Sequence, residues 1–146
     1  TALYYDHINR EVARRLGGLS SAPLTIESIN LAPYAALQAA GDHDSAQAII
    51  VAAAQSLAAA GAEALLIASN TTNRYAPAVT EATGLPLLDI AEPAIARLSA
   101  DGRRRIALLG TRFVMTEPFL RDRYELAGLE VVPIGNDWVM TVDRII

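Results

Sequence analysis

Ala62-Glu63-Ala64-Leu65-Leu66-Ile67-Ala68-Ser69-Asn70-Thr71-Thr72-Asn73 is the stretch on which the reading of this chain turns. An apolar run of strand length, Ala64 to Ala68, breaks off into four small hydrogen-bonding side chains, and a helix-like segment follows. Open parallel sheets place their ligands at such junctions, because strand carboxyl ends face a crevice and the next helix begins with free N–H groups. Side chains of this kind cap a helix or hold a small carboxylate, and the residues alone support both readings.

Working outward, the 146 residues suffice for one full core, or for one domain and part of another. The 52% hydrophobic content is largely alanine, and no stretch has the length to span a bilayer or the form of a signal segment. The expected setting is cytoplasmic, with no membrane partner. A net charge of −4 argues against nucleic acid as a partner, since phosphate binding wants a basic face. All 12 basic residues are arginine, and the one cluster, Arg103 to Arg105, reads as a solvated strand entrance. Cysteine is absent, which excludes disulfides, thiolate metal sites and cysteine nucleophiles within these residues. His7 and His43 have no ligand-spaced partner, so no metal site is expected.

Along the chain, Thr1 to Leu16 has a helical apolar period ended by Gly17 and Gly18. Pro23 to Asn30 reads as a strand and Tyr34 to Ala40 as a short helix carrying Gln38. Asp44 or Ser45 is the expected cap of a long alanine-rich helix running to Ala60. After the polar turn come a helix from Tyr75 to Thr83, a strand from Leu87 to Ile90 and a helix from Ala91 to Ala100. Arg105 to Leu109 is the next strand, ending at Gly110-Thr111-Arg112; a helix from Glu117 to Leu126, a strand from Leu129 to Ile134 and a helix from Val139 to Ile146 complete the pattern. Alternating strands and helices predict an α/β three-layer sandwich with a mostly parallel sheet. The chain opens inside a helix and stops inside another, so it is expected to lack a first strand and to be cut short at both ends. L-L-I-A-S-N-T-T and I-A-L-L-G-T-R are two strands with small polar mouths, and the two mouths could face each other across one ligand.

T-A-L-Y-Y-D-H-I-N, G-A-E-A-L-L-I-A-S-N-T-T-N and R-I-A-L-L-G-T-R-F-V-M, in this order and spacing, resemble the aspartate/glutamate/hydantoin racemase superfamily, nearest to its aspartate racemase branch, over essentially the whole chain. The resemblance implies two similar α/β domains, here residues 1–101 and the beginning of a second at 102–146, with the site between them. It implies a cofactor-independent isomerase that needs no pyridoxal phosphate and acts on aspartate or glutamate. Two acid/base residues on opposite faces of the substrate Cα exchange its proton, and stabilisation of the developing carbanion lowers the barrier.

Carried over by position, Ser69 matches the first acid/base residue, usually cysteine. Asn70 and Thr71 match the residues that hold the α-carboxylate, and Gln38 matches a substrate contact; capping, or surface for Gln38, is the plain alternative for each. A serine hydroxyl is a poorer base than a thiolate unless activated, and Asn73 stands where a histidine often follows. The G-C-T-E type motif with the second cysteine is not among the 146 residues, so these residues alone are expected to be inactive. The alternatives are a non-catalytic carboxylate-binding domain and a hydantoin- or arylmalonate-type relative. A homodimer is expected, and apolar faces left open are expected to promote association. A serine hydrolase is disfavoured because no G-x-S-x-G elbow is present, and a dinucleotide site because no G-x-G-x-x-G follows a strand.

Overall fold

The computed structural model describes residues 1–146. It begins with helix α1 (Ala2–Leu16), whose arginines and acids are spaced to pair along one exposed face. Arg10 meets Asp6 at 2.9 Å, and Arg14 and Arg15 reach Glu11 at 2.6 and 2.7 Å. No residue of α1 is fully buried, and Leu3 and Leu16 remain about three-quarters exposed.

Pro23 to Asn30, expected as a strand, takes no regular secondary structure. A strand exists through its ladder, and these residues have no neighbour to bond; Leu24 and Ile26 stay exposed. Asn30 instead starts helix α2 (Leu31–Ala40), its side chain accepting from the Ala32 N–H at 3.2 Å. Helix α3 (His43–Ala59) begins earlier than expected, because the cap is Asp42 rather than Asp44 or Ser45; its carboxylate accepts the Ser45 N–H at 3.0 Å. That hydrogen bond holds the Asp42 pKa below its ordinary value.

The central strand is shorter than its apolar run. Leu65 alone pairs, in a parallel bridge with Leu87: its N–H donates to Pro86 O at 2.9 Å, and Leu88 N–H donates to Leu65 O at 2.8 Å. The strand expected at Leu87–Ile90 is likewise reduced to this bridge. Between the partners lie a 3₁₀ helix (Thr71–Tyr75) and helix α4 (Ala76–Thr83), so the connection is a strand–helix–strand crossover. The expected helix from Tyr75 onward therefore starts one turn sooner and tighter.

Helix α5 (Glu92–Ala100) leads to strand β1 (Arg105–Ile106). A helix missed by the sequence reading, α6 (Arg112–Thr116), precedes α7 (Pro118–Leu126), and strand β2 (Glu130–Val131) follows. β1 and β2 are parallel, with Arg105 opposite Glu130 and Ile106 opposite Val131. Arg105 Nε lies 2.9 Å from Glu130, which accounts for one member of the arginine cluster at a solvated strand entrance. Helix α8 (Asn136–Ile145) closes the chain and starts three residues before the expected Val139.

Two apolar clusters result. Tyr34, Ala46, Ile50, Leu65, Tyr75 and Val79 are at the heart of the first, where α3 packs on α2 and α4. Ala91, Val114, Leu120, Tyr124 and Leu129 form the second. Helix α5, inside the 1–101 segment, packs Ala94, Ile95 and Leu98 into the second cluster. The class is α/β with parallel pairing throughout, rich in helix and sparing in sheet. No helix is long and apolar enough to cross a membrane.

Candidate functional site

The polar turn after Ala68 is built by its own side chains. Asn73 Nδ2 donates to Ile67 O at 2.9 Å and to Ser69 O at 2.7 Å, fastening the end of the apolar run to the 3₁₀ helix that follows. The backbone adds Asn73 N–H to Ser69 O at 3.2 Å. Ser69 and Asn70 are thereby left on the exposed rim, while Thr71 and Thr72 are buried beneath it. Asn70 makes no side-chain cap bond to the 3₁₀ helix, whereas Ser69 Oγ accepts the Thr72 N–H at 3.4 Å, so capping has a hydrogen bond behind it at Ser69 and none at Asn70.

Beneath the rim runs a line of hydroxyls. Thr72 Oγ1 donates to Ser69 Oγ at 3.1 Å, the Thr72 N–H points at the same oxygen at 3.4 Å, and Tyr34 Oη lies 3.2 Å from Thr72 Oγ1. Tyr34 comes from α2, and burial pushes its pKa up, an effect partly offset by the Thr72 hydrogen bond. It therefore keeps its proton at neutral pH. Gln38, one helical turn on, turns its Nε2 into a buried place with no acceptor. A buried amide nitrogen without a partner is costly, and a ligand oxygen would relieve it. No hydrogen bond joins Gln38 to Ser69, Asn70 or Thr71; it lies on a separate element, α2.

The second mouth meets the first directly. Thr71 Oγ1 and Thr111 Oγ1 are 2.8 Å apart, 40 residues removed in sequence. Thr111 sits at the cap position of α6 yet makes no cap bond; Asp143 of α8 accepts the Arg112 N–H at 2.7 Å. Gly110, just before Thr111, leaves room for the Val114 side chain, since a Cβ there would lie 2.9 Å from Val114 Cγ1. One step behind the turn, Arg74 forms an ion pair with Glu117 and lies 5.5 and 5.1 Å from the Phe113 and Phe119 ring centres. Asp89 and Arg123 form a second ion pair, with Asp89 Oδ1 also accepting the Ala91 N–H at 2.8 Å.

Of the four residues singled out from the sequence, Ser69, Asn70 and Thr71 share one turn and Gln38 does not join them by contact. Tyr34 and Arg74 were missed as parts of the site, and Thr72, Asn73 and Thr111 were given no role in it. Thr72 and Asn73 lie in the polar stretch that the sequence singles out, and Thr111 had a signal in the echo between the two strand ends; Tyr34 and Arg74 matter through partners that lie far along the chain. His43 Nδ1 is 3.5 Å from Arg74 Nη1 and from Tyr75 Oη, and forms no hydrogen bond to Ser69. No group of three histidine and acidic side chains is placed to hold a metal. Two surface hollows, one between Glu27–Asn30 and α3 and one beside Asp122, Glu125 and Leu126, do not include the polar turn.

Such an arrangement can bind an anion through hydroxyls and amides at a strand end. The chain is similar to the crystal structure of a candidate Asp/Glu racemase from Yersinia pestis, with 38% identity and a TM-score of 0.88 over 99% of this chain and 63% of that one. It is also similar to an aspartate racemase homologue from Pyrococcus horikoshii OT3, at 29% identity and a TM-score of 0.78, covering 99% of this chain and 64% of that one. The chain thus spans somewhat under two thirds of each of these proteins. The Asp/Glu/hydantoin racemase family model matches residues 1–146. This chain belongs to the Asp/Glu/hydantoin racemase family.

Proposed function

We propose that this chain is the greater part of the site-bearing scaffold of an amino-acid racemase that inverts aspartate, glutamate or both without a cofactor. The observation that carries this reading is the S-N-T-T turn, with Ser69 and Asn70 exposed at its rim and Thr71 backed by Thr111 of the second strand end. Asn70 and Thr71 hold the α-carboxylate, Ser69 occupies the first acid/base position, and Gln38 offers its free amide to a substrate oxygen. Family membership supports a racemase; the substrate and the two-base route are our inference. Independence from pyridoxal phosphate is part of the same proposal, as are the division into residues 1–101 and the beginning of a second domain at 102–146, and a cytoplasmic setting. A homodimer is favoured by exposed Leu3 and Tyr5 on α1 and by Trp138 on α8.

The test is incorporation of deuterium at Cα of L-aspartate and L-glutamate in heavy water, with chiral analysis of the product, using the full gene product. Exchange and inversion support the reading. A serine that has lost the chemistry shows itself differently: the parent is inert while Ser69→Cys turns over. A second reading, a carboxylate-binding domain without catalysis, is favoured by one observation. Ser69 Oγ touches Thr72 and no base. Calorimetry separates the two, since binding without turnover in the full gene product supports the second and no binding at millimolar ligand defeats both. The 146-residue chain by itself is expected to bind and not to turn over.

A further inference from the structure

The hydrogen-bond direction at Ser69 is set by a residue buried far below it. Tyr34 is 3% exposed, and its hydroxyl has one partner, Thr72 Oγ1 at 3.2 Å. A phenol carries one proton, and sending it anywhere but Thr72 would leave it buried without an acceptor. Tyr34 is therefore the donor. Thr72, having accepted, gives its own hydrogen to Ser69 Oγ at 3.1 Å, and its N–H approaches the same oxygen at 3.4 Å. Both lone-pair sites of Ser69 Oγ are taken by donors, and the hydrogen of Ser69 is left facing the exposed rim.

We propose that Tyr34 and Thr72 are positioning residues that orient Ser69 as a hydrogen-bond donor toward a bound carboxylic acid, and that they stabilise negative charge on the side-chain atom at position 69 when its proton leaves. The part that concerns the bound acid rests on the reading of Ser69 given above. The reverse chain, Ser69 to Thr72 to Tyr34, has the same distances but strands the buried phenol hydrogen. Direction is thus decided by burial and not by geometry at the rim.

No cysteine lies within the 146 residues, so Ser69→Cys adds one thiol to them, and its pKa follows from the alkylation rate against pH measured as a difference from the parent protein. Donors aimed at a thiolate favour the charged form, so this pKa is expected to fall below the ordinary value of about 8.5. Adding Tyr34→Phe or Thr72→Val to Ser69→Cys should raise it by about one unit, a roughly tenfold loss of thiolate at neutral pH. Adding Thr72→Ser, which keeps the hydroxyl, should leave it low. Circular dichroism establishes that each variant is folded; were Tyr34→Phe unfolded, Thr72→Ser against Thr72→Val carries the comparison. A thiol pKa at its ordinary value, or one indifferent to the loss of these hydroxyls, overturns the inference.

A second arm uses aspartate. Tyr34→Phe should weaken binding about fivefold with Ser69 present and not at all in Ser69→Ala; equal losses in both backgrounds mean a packing role and overturn the positioning role. The thiol titration needs no ligand, so failure to bind aspartate refutes the proposed function, while an unresponsive thiol in a protein that binds aspartate refutes this inference alone.

Discussion

Asn73 shows how one side chain shapes the turn. Its amide nitrogen donates to two carbonyls, Ile67 O and Ser69 O, on either side of the strand end. Two acceptors for one NH₂ group require both of its hydrogens, which no single imidazole nitrogen supplies. Asn73 is thus a brace. Asn73→Ala should lower stability by about 1–3 kcal/mol, as expected for two lost hydrogen bonds in a half-buried turn, and a urea titration measures it. An unchanged midpoint would mean that backbone bonds alone hold the turn.

At the scale of elements, the paired strands are shorter than the apolar runs, and helices carry most of the structure. Leu65 is 4% exposed and joins both the first cluster and the parallel bridge to Leu87. Leu65→Ala should cost about 2–5 kcal/mol, read as a lower urea midpoint. Apolar periodicity made α1, α5 and α7 legible to within a residue or two, because their faces repeat at helical spacing. Strands were legible as runs but not in extent, since pairing depends on a partner and periodicity records only the strand's own residues; Pro23 to Asn30 is the clearest case. Capping was misplaced by two residues at α3, where Asp42, Asp44 and Ser45 are all good caps and only geometry chooses Asp42. Of the site, the S-N-T-T turn was legible because its residues are contiguous, and Tyr34 and Arg74 were not, because their partners are 38 and 43 residues away.

The exposed helix α1 adds a pH dependence. Hydrogen bonds from Arg14 and then Arg15 lower the Glu11 pKa from 4.5 to about 2. A depressed folded-state value means that the pairs contribute fully above about pH 4.5 and fade as pH falls toward 2. Far-UV circular dichroism should show helix content falling over that window, with a smaller change in Glu11→Gln, which has no carboxylate to titrate. Being wholly at the surface, the contribution is small and should weaken with added salt.

For the whole molecule, the question is what fastens two separate apolar clusters together. Thr71 touches Thr111, but a hydroxyl pair is a weak tie, and the heavier fastening is Arg74 with Glu117. The Arg74 side chain is 11% exposed and that of Glu117 29%, so each charge depends on the other for what water no longer supplies. Glu117→Gln leaves a cation enclosed among Tyr75, Phe113 and Phe119 with its counter-charge gone. The expected loss is about 3 kcal/mol, read by urea denaturation, with the second cluster opening before the first if the seam yields first. Replacing both residues, Arg74→Met with Glu117→Leu, removes the desolvated charges and gives the rings an adaptable apolar neighbour, so the double variant should recover most of that loss. Hydrogen exchange resolved along the chain distinguishes the cases. Early exchange confined to α6 and α7 in Glu117→Gln, restored in the double variant, means that electrostatic pairing holds the seam. A double variant that loses as much as the single one means instead that the shape of the Arg74 side chain, packed against the rings, is what joins the halves.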